Sequence, residues 1–329
     1  MNQPSQTVLV TGAGGFIGSH LTERLVKNGA RVKAFVRYNS RNDWGQIGML
    51  PKEILNEIEI IKGDLRDSDA IRHAAEGTDI IFHLGALIAI PYSYIHPREF
   101  VETNIIGTLN VLTAARENHV KRMVHTSTSE VYGTAQYVPI DEKHPLQPQS
   151  PYSASKIGAD MLAESFYRVY GVPVGIIRPF NTYGARQSAR AVIPTIISQV
   201  LTKKQIYLGS LHPTRDFTYI DDTVDAFIKV SENPKFVGGV VNIGSNLEIS
   251  IGDIARKVID IVGHGNVIIT DTERIRPKLS EVDRLLCDNT KAMQILGWKP
   301  NVSFDEGLKR TIVWITDHLE QYKPELYNL

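Results

Sequence analysis

The sequence lacks three features that would direct a protein to particular partners. It has one cysteine, Cys287, in 329 residues, which excludes an internal disulfide and a cysteine-based metal cluster. Its 36 Lys and Arg residues balance 36 Asp and Glu residues, so no overall field attracts nucleic acid or an anionic membrane. It also lacks a long apolar run, because the stretch over residues 80–90 contains His83 and Gly85 and is too short to span a bilayer. Any phosphate binding must therefore be local.

The start of the sequence leads to an expectation about location. The first residues, MNQPSQTVLVTG, contain no basic stretch followed by a long apolar segment, which is the pattern of a secretory signal peptide. We therefore expect a cytoplasmic protein that binds neither nucleic acid nor a membrane and holds no metal ion. The composition, 42% hydrophobic and 22% charged, is that of an ordinary globular protein.

Short apolar runs alternate with amphipathic stretches in the first half of the chain. This alternation is typical of a parallel sheet covered by helices, and runs such as VLV and IIF suit strands that are buried on both faces. The predicted strands are Thr7–Val10, Arg31–Arg37, Glu57–Ile61, Asp79–Leu84, Arg122–Thr126 and Val174–Arg178. The predicted helices between them are Gly15–Lys27, Asp67–Glu76, Pro97–Asn118 and Tyr152–Tyr170.

The pattern loosens after Pro179, where polar and proline-containing segments alternate with further helices. These helices are predicted near Val192–Thr202, Asp222–Ser231, Ile251–Val262 and Phe304–His318, and Gly239–Ile243 is predicted to return to the sheet. We therefore predict an α/β protein with a doubly wound parallel sheet and a smaller C-terminal α/β domain that binds the substrate. The first domain comprises residues 1–180 with returning segments near 217–244, and the second comprises 181–216 and 245–329.

A glycine-rich turn joins the first strand to the first helix. The segment TGAGGFIG places Gly12, Gly15 and Gly18 where the turn must tighten, the backbone must approach a pyrophosphate, and the helix must pack against the sheet. The N-terminus of that helix offers unpaired amides and a partial positive charge to the phosphates. Because the glycines lie between a strand and a helix, the context favours a Rossmann-type dinucleotide-binding domain over an ordinary tight turn.

The end of the second strand indicates which dinucleotide is bound. An NAD site usually carries Asp or Glu about 20 residues after the glycines, but AFVRYNSR places Arg37 there, followed by Ser40 and Arg41. A guanidinium pairs with a 2′-phosphate, so NADP is slightly favoured and NAD is the alternative; a solvated loop arginine would favour neither. Asp64, in KGDLRD, is predicted either to reach the adenine edge or to cap the following helix.

Two segments carry the candidate reaction centre. Tyr152 and Lys156 in SPYSASK are four residues apart, so on a helix they share a face on which the ammonium stabilises a phenolate, unless the spacing is accidental. The fifth strand ends in HTSTSEVYG, and ligands of such sheets bind beyond the carboxyl ends of the strands. Glu130 in that segment is a candidate base for a C–H bond next to a ketone, with a helix cap or a salt bridge as the alternative.

The motifs TGAGGFIG, GDLRD, HLGA, STSEVYG, YSASK and RPFNTYG follow one another over nearly the whole chain. With them the sequence resembles the extended short-chain dehydrogenase/reductase family of nucleotide-sugar enzymes. The resemblance implies a centre formed by Thr128, Tyr152 and Lys156, and a tightly bound NAD(P) cofactor. The residues expected to contact this cofactor are Gly12, Gly15, Phe16, Ile17, Gly18, Arg37, Asp64, Leu65, Leu84, Ala86, Tyr152 and Lys156.

Within that family, dehydratases and hexuronate decarboxylases carry a glutamate at the position of Glu130, which simple 4-epimerases generally lack. Glucose-type dehydratases place an aspartate before it as the acid, whereas this chain has Ser129 and so resembles the GDP-mannose type, as does RIRPKLSEVDRLLCDNTKAMQILGWKP. The whole sequence further resembles the dehydratases that feed legionaminic acid synthesis, which act on a nucleotide-linked N-acetylglucosamine. The resemblance thus implies a 4,6-dehydratase with Thr128, Ser129, Glu130, Tyr152 and Lys156 as catalytic residues.

By the same resemblance, the nucleotide-diphosphate sugar is expected to contact Asn181, Arg186, Arg215, Asn242 and Arg276. The arginines would otherwise be surface residues of a lid, and Asn181 would otherwise end its strand in an Asx turn. Three other functions stay open: a hexuronate decarboxylase, a 4-epimerase, and a non-catalytic NAD(P)-sensing protein. The last class usually lacks the Tyr-Lys pair.

The chain is also expected to form a homodimer. The helices near 97–118 and 152–170 carry apolar residues on more than one face, and in the family they pack against their mates in a second subunit as a four-helix bundle. Packing on the sheet alone is the alternative explanation. The apolar residues concerned are Ile105, Leu109, Leu112, Ile157, Met161 and Phe166.

Overall fold

A computed structural model describes residues 6–324 of the chain. The predicted domain ranges and the N-terminal segment discussed above include residues 1–5 and 325–329, which lie outside the described residues. The strands are β1 Thr7–Thr11, β2 Arg31–Arg37, β3 Ile58–Gly63, β4 Ile80–His83, β5 Arg122–Thr126, β6 Val174–Pro179, β7 Asn181–Tyr183, β8 Gln205–Leu208, β9 Thr214–Tyr219, β10 Val240–Ile243, β11 Glu248–Ser250 and β12 Val267–Thr270. The helices are α1 Phe16–Lys27, α2 Lys52–Leu55, α3 Ser68–Ala75, α4 Ile90–Ile95, α5 Pro97–Phe100, α6 Gly107–Glu117, α7 Pro151–Tyr170, α8 Val192–Thr202, α9 Ile220–Glu232, α10 Ile251–Val262, α11 Thr290–Leu296 and α12 Phe304–Asp317.

Seven parallel strands form the central sheet in the order β10-β6-β5-β4-β1-β2-β3. The six strands predicted in the first half and the returning strand are all present, with ends shifted by at most one or two residues. The chain order reverses between β1 and β4, and such sheets bind ligands in the crevice beyond the carboxyl ends of the strands at this point. The predicted doubly wound α/β class is confirmed.

Alternate side chains of β1 enter the two layers of core on either side of the sheet. Val8 and Val10 pack on one face in the same cluster as Leu21 of α1. Leu9 packs on the other face with Ile71 of α3. Each of these five side chains is almost completely buried, and burial of one such side chain contributes about 1.5–3 kcal/mol. The uninterrupted apolar run of the strand therefore reflects two covered faces.

The helix predicted over 97–118 is interrupted. It begins at Pro97 as α5, passes through a π-helical turn over Val101–Ile106, and continues as α6. A further short helix, α4, precedes it and contains Pro91 in its first turn, where the missing N–H has no intrahelical partner to lose. Single π-helical turns often mark functional positions, and this one contains the buried Asn104.

Helix α7 carries the Tyr-Lys pair and has well-defined ends. Ser150 and Ser153 exchange side-chain and backbone hydrogen bonds in a capping box, and Pro151 occupies the first helical position. Gly171 ends the helix with a φ of 69°, a left-handed conformation that glycine adopts at little cost. Because both end signals can be read from the sequence, the predicted range Tyr152–Tyr170 differs from the observed helix by only one residue.

The C-terminal part contains two smaller sheets, β11-β9-β7 and β12-β8. Between β9 and β11 the chain returns to the central sheet. There β10 pairs with β6, and α9 packs against α1, β5 and β6. The division of the chain into two domains stays a prediction. No helix within residues 6–324 is both long and apolar enough to cross a bilayer, and no three His, Cys, Asp or Glu side chains of this range are placed to hold a metal.

Candidate active site

A cavity of about 930 Å³ opens beyond the carboxyl ends of the central strands. Its wall combines the glycine turn after β1, the segments that follow β2 to β6, and loops of the C-terminal part. The volume lies near the upper end of the range for small-molecule sites. Residues from both halves of the chain therefore meet around one ligand space.

The glycine turn has the geometry of a pyrophosphate cradle. Gly12 has a φ of 70°, and a Cβ atom there would lie 2.6 Å from the amide nitrogen of Gly85. A Cβ atom on Gly18 would overlap the carbonyl oxygen of Gly12, so the first turn of α1 packs directly on the loop. No side chain caps the N-terminus of α1, which leaves its amides available to an anion. The predicted cofactor residues Gly12, Gly15, Phe16, Ile17 and Gly18 all line the cavity.

Predicted residues at the ends of β2 and β3 also line the cavity, namely Arg37, Asp64 and Leu65. The guanidinium of Arg37 is exposed and forms no hydrogen bond or ion pair within residues 6–324, so it is available to a ligand. Asp64 accepts hydrogen bonds from Nε and Nη2 of Arg66 at 2.9 and 2.7 Å, and these bonds lower the pKa of its carboxyl. Asp67 caps α3, so the alternative role of Asp64 as the helix cap is wrong.

A buried asparagine that sequence reasoning missed fixes the segment after β4. The Asn104 side chain accepts a hydrogen bond from the amide of Leu87 at 2.8 Å and donates to the carbonyl oxygen of Leu87 and to Ser155 Oγ, both at 2.9 Å. It therefore ties the cavity wall that contains the predicted residues Leu84 and Ala86 to helix α7. A single asparagine inside a helix gives no sequence signal for such a role.

The residues of the predicted reaction centre come together at the ends of β5 and α7. Thr128, Glu130 and Tyr152 line the same cavity, and both Thr128 and Glu130 lie close enough to Tyr152 to influence the pKa of its phenol. Thr128 Oγ1 also accepts a hydrogen bond from the amide of Glu130 at 3.2 Å. Lys156 lies one turn further along α7 and donates from Nζ to the carbonyl oxygen of Thr126 at 2.6 Å. Glu130 therefore lies on the cavity wall near Tyr152.

Burial dominates the electrostatics of this centre. It raises the pKa of Tyr152 above its usual value; the nearby Thr128 side chain opposes the increase, and the charge of Glu130 adds to it. Burial also lowers the pKa of Lys156 from 10.5 to about 8, which the Asp160 carboxylate opposes. Besides burial, the groups that shift the pKa of Tyr152 are Thr128, Glu130 and Asp160, and the expectation that Lys156 stabilises a phenolate stays a prediction.

A buried carboxylate beneath the centre joins α7 to the ends of two strands. Asp160, fully buried, accepts hydrogen bonds from Ser127 Oγ at 2.8 Å and from Arg178 Nη2 at 2.9 Å. His125 Nε2 lies 3.3 Å from its second oxygen. The contact with Ser127 fixes the residue directly before Thr128. Asp160 therefore positions the reaction centre from below.

Besides Arg186, described below, three predicted site residues do not line the cavity: Ser129, Asn242 and Lys156, whose buried ammonium is bound to the carbonyl oxygen of Thr126. Ser129 is buried in the 3₁₀ turn that follows β5 and does not line the cavity, so its predicted role as a proton donor is not supported. Asn242 is fully buried in β10, the edge strand of the sheet, where it accepts a hydrogen bond from Tyr132 Oη at 2.7 Å and donates to the carbonyl oxygen of Ile140 at 3.1 Å. Its predicted contact with the substrate is wrong, because its amide is used within the protein.

Cations from the C-terminal part form another section of the cavity wall, near Glu130. Arg215 and Arg276 line it, as predicted, together with Asn181 at the start of β7. Glu281 lies between the two guanidinium groups, 3.5 Å from that of Arg215 and 3.9 Å from that of Arg276. Burial lowers the pKa of Arg215, while the charges of Glu130 and Glu281 oppose that change. This section of the wall suits an anionic group such as a diphosphate.

Arg186, the remaining predicted contact of the substrate, does not line the cavity. Its Nη2 atom donates to Glu23 Oε2 at 2.6 Å, and the guanidinium also contacts the ring of His20, so it joins its loop to α1. The predicted role is therefore wrong, because this arginine is buried in an ion pair. Arg190 and Arg274 line the cavity instead. Sequence reasoning missed both, although Arg274 is the first residue of the segment RIRPKL on which part of the resemblance rested.

Comparison with known proteins gives consistent matches. The family model described as GDP-mannose 4,6 dehydratase matches residues 9–311. The UDP-glucose 4-epimerase of Mycolicibacterium smegmatis is 33% identical over 92% of this chain and 96% of its own. The dTDP-D-glucose 4,6-dehydratase of Homo sapiens is 32% identical over 97% of this chain and 92% of its own. The crystal structure of the dTDP-glucose 4,6-dehydratase from Streptomyces venezuelae, solved with NAD bound, matches with a TM-score of 0.86 at 29% identity and covers 97% of this chain and 99% of that one.

These matches extend over both the central sheet and the C-terminal part of the chain. They agree with the glycine turn, with the Tyr-Lys pair on α7, and with a carboxylate on the cavity wall beside that pair. The resemblance drawn from the sequence motifs is confirmed. The chain therefore belongs to the GDP-mannose 4,6-dehydratase family, a group of NAD(P)-dependent enzymes with the extended short-chain dehydrogenase/reductase fold.

Proposed function

We propose that the protein is a nucleotide-sugar 4,6-dehydratase and that nucleotide-linked N-acetylglucosamine is the substrate to test first. The product is the 4-keto-6-deoxy sugar. The observation that carries the proposal is the position of Glu130 on the same cavity wall as Thr128 and Tyr152. Besides a nicotinamide to accept the hydride, oxidation at C4 requires only a proton acceptor and a group that holds the oxygen. The additional carboxylate suits the removal of a second proton, from C5.

Three side chains of the centre divide the proton transfers and the binding of the 4-oxygen between them. Tyr152 accepts the proton of the sugar 4-hydroxyl, and Thr128 holds the same oxygen. When bound, a nicotinamide dinucleotide would supply the hydride acceptor for C4 and the hydride donor for C6, and its positive charge would favour the phenolate that burial disfavours. The C4 ketone acidifies the C5 proton, which Glu130 removes as a base. Glu130 then protonates the C6 hydroxyl, which leaves as water, and delivers a proton from solvent to C5 when the hydride returns.

A hexuronate decarboxylase is the second candidate, because the position of one cation, Arg215, favours it. Such an enzyme needs a cation near C6 to bind the carboxylate of its substrate. Arg215 lies close enough to Glu130 for the two charges to interact. A 4-epimerase is disfavoured, since it has no use for Glu130. A non-catalytic NAD(P)-sensing protein is disfavoured because Tyr152 and Lys156 are both in place.

A panel of substrates separates these functions. We expect incubation with UDP-, GDP-, CDP- or dTDP-linked N-acetylglucosamine to give a product lighter by one water, detected by mass spectrometry. The corresponding nucleotide-linked hexuronates serve as the control. Release of carbon dioxide from a hexuronate would establish the decarboxylase instead, and a product of unchanged mass but altered configuration at C4 would establish the epimerase.

Arg37 supports a preference for NADP over NAD. Its free guanidinium at the end of β2 is suited to a 2′-phosphate, which NAD lacks. We expect Arg37→Ala to weaken NADP binding about ten-fold or more and to change NAD binding much less, as measured by titration of the cofactor-free protein. Arg31→Ala, at the exposed start of the same strand, is the matched control. Equal weakening of both dinucleotides by Arg37→Ala would contradict the preference.

The outer faces of the helices over 97–118 and 152–170 support the proposal of a homodimer. Leu112 and Phe166 pack on the sheet, but Ile106 and Met161 remain exposed. We expect Met161→Glu to convert a dimer to a monomer in sedimentation experiments at micromolar concentration, because the charge would be buried in the apolar interface. Met293→Glu on α11 is the control, since the exposure of Met293 is 45% and that of Met161 is 44%. A monomeric wild-type protein would contradict the dimer.

A further inference from the structure

The segment after β2 forms an ordered loop over residues 39–50, which we call the Trp44 loop. Asn39 closes it internally: its side chain accepts hydrogen bonds from the amides of Arg41 and Asp43 and donates to the carbonyl oxygen of Asp43. Asp43 Oδ1 accepts a hydrogen bond from the amide of Gly45 at 2.7 Å. The loop is therefore a built structure, although most of its residues are exposed.

The Trp44 loop touches the glycine turn through backbone atoms. The amide of Gln46 donates to the carbonyl oxygen of Gly14 at 2.8 Å. A Cβ atom on Gly14 would lie 2.6 Å from the carbonyl oxygen of Trp44, and a Cβ atom on Gly45 would overlap the carbonyl oxygen of Gly14. Gly45 also has a φ of 65°, which disfavours any other residue. The two segments approach this closely only because both carry glycine.

The far end of the loop is fixed in the core. Ile47 is fully buried and Leu50 is nearly so, in the same cluster as Leu21 of α1. The near end faces the ligand space, where Asn39, Asp43, Trp44 and Gly45 line the cavity beside the glycine turn. The wall at this end therefore has two parts, and the contact of the loop with Gly14 is what joins them.

We propose that the Trp44 loop is a latch that retains the nicotinamide dinucleotide between turnovers. The inference rests on the proposed function, in which the hydride removed at C4 returns to C6 and the cofactor need not leave. A dinucleotide seated on the glycine turn is enclosed on one side by the loop, so its departure requires the loop to separate from Gly14. The strength of the contact between Gly14 and the loop then sets the dissociation rate, while Tyr152 and Glu130 at the other end of the cavity carry out the chemistry.

Two alanine variants within the Trp44 loop test the latch. Gly45→Ala places a Cβ atom against Gly14 and forces an L side chain into a left-handed conformation, so we expect the loop to detach. Dissociation of NADP+ and of NAD+ should become at least about ten-fold faster in stopped-flow displacement. After gel filtration, activity should depend on added cofactor and recover in its excess. Gly48→Ala is the matched control, because a Cβ atom at Gly48 meets nothing within 4 Å, and it should retain cofactor like the wild type.

Amide hydrogen exchange on the wild-type protein provides a second measurement that requires no variant. We expect the backbone amides of residues 44–47 to exchange more slowly when NADP+ or NAD+ is bound, because the latch opens less often. Equal exchange with and without cofactor, or equal dissociation rates for Gly45→Ala and Gly48→Ala, would overturn the latch. If the wild-type protein bound neither dinucleotide, the proposed function would fall as well, which is a distinct result.

Discussion

Glu130→Gln is expected to slow dehydration about 100- to 10,000-fold, the range that general acid–base groups contribute. The substitution removes the base for the C5 proton but keeps the size of the side chain and the backbone hydrogen bond to Thr128. In heavy water, the wild-type product should carry deuterium at C5, whereas the variant should leave the C5 hydrogen of its substrate unexchanged. Mass spectrometry of substrate and product measures both effects. The dissociation constant of the cofactor, measured by titration, should stay close to that of the wild type.

The control for this experiment is another glutamate. Glu102 lies in the π-helical turn, forms surface ion pairs with Arg98 and Arg66, and does not line the cavity. Glu102→Gln should dehydrate the substrate at close to the wild-type rate, because exposed ion pairs contribute little. Normal dehydration by Glu130→Gln would sink the assignment of the C5 base and leave only an oxidoreductase with a Tyr-Lys centre.

Lys156→Met is expected to abolish activity and, at pH 7, to raise the free energy of unfolding of the cofactor-free protein by about 2 kcal/mol. Burial lowers the pKa of Lys156 from 10.5 to about 8, so the ammonium is less favourable in the folded state than in the unfolded state. At about 1.4 kcal/mol for each pKa unit, removal of the charge contributes about 3 kcal/mol. Loss of the hydrogen bond from Nζ to Thr126 offsets part of this gain.

The size of this stabilisation depends on pH. Below pH 8 the lysine is protonated in both the folded and the unfolded state, and the full penalty of the buried charge is present. Between pH 8 and 10.5 the folded protein is neutral at this position while the unfolded chain still binds the proton, so the penalty fades. Urea denaturation of both proteins at pH 7 and at pH 10.5 should therefore show a stabilisation that shrinks at the higher pH.

Lys121→Met serves as the control for the stability measurement. Lys121 is largely exposed and pairs with Asp79 at the surface, so its replacement should change the free energy of unfolding little at either pH. If Lys156→Met were less stable than the wild type at pH 7, the conclusion that the buried ammonium destabilises the folded protein would be wrong.

The parts of the site that lie close together in the sequence could be predicted. The glycine turn, the Tyr-Lys pair on α7 and the segment from Thr128 to Glu130 each depend on short-range geometry. A strand that leads through glycines into a helix has few possible conformations, and four residues on a helix always share a face. The confirmed strands and helices of the first half follow from the same local periodicity.

The parts that depend on distant contacts could not be predicted. Asn242 and Arg186 were assigned to the substrate from resemblance, but each finds a buried partner far away in the sequence, Tyr132 for the one and Glu23 for the other. Arg190 and Arg274 reach the cavity through loops that show no periodic pattern. The π-helical turn that contains Asn104 also lies within a stretch whose apolar spacing resembles an ordinary helix.

The sequence by itself therefore determined the α/β class, the position of the dinucleotide turn and the identity of the tyrosine, lysine and glutamate at the centre. These properties depend on backbone conformation over a few residues, and the types of residue present decide that conformation. The tertiary structure alone decided which cations and amides face the cavity. It also decided that burial, and not the neighbouring Lys156, dominates the pKa of Tyr152. Desolvation and hydrogen-bond pairing depend on everything that surrounds a group, and for Asn242 and Arg186 the partners lie more than a hundred positions away in the sequence.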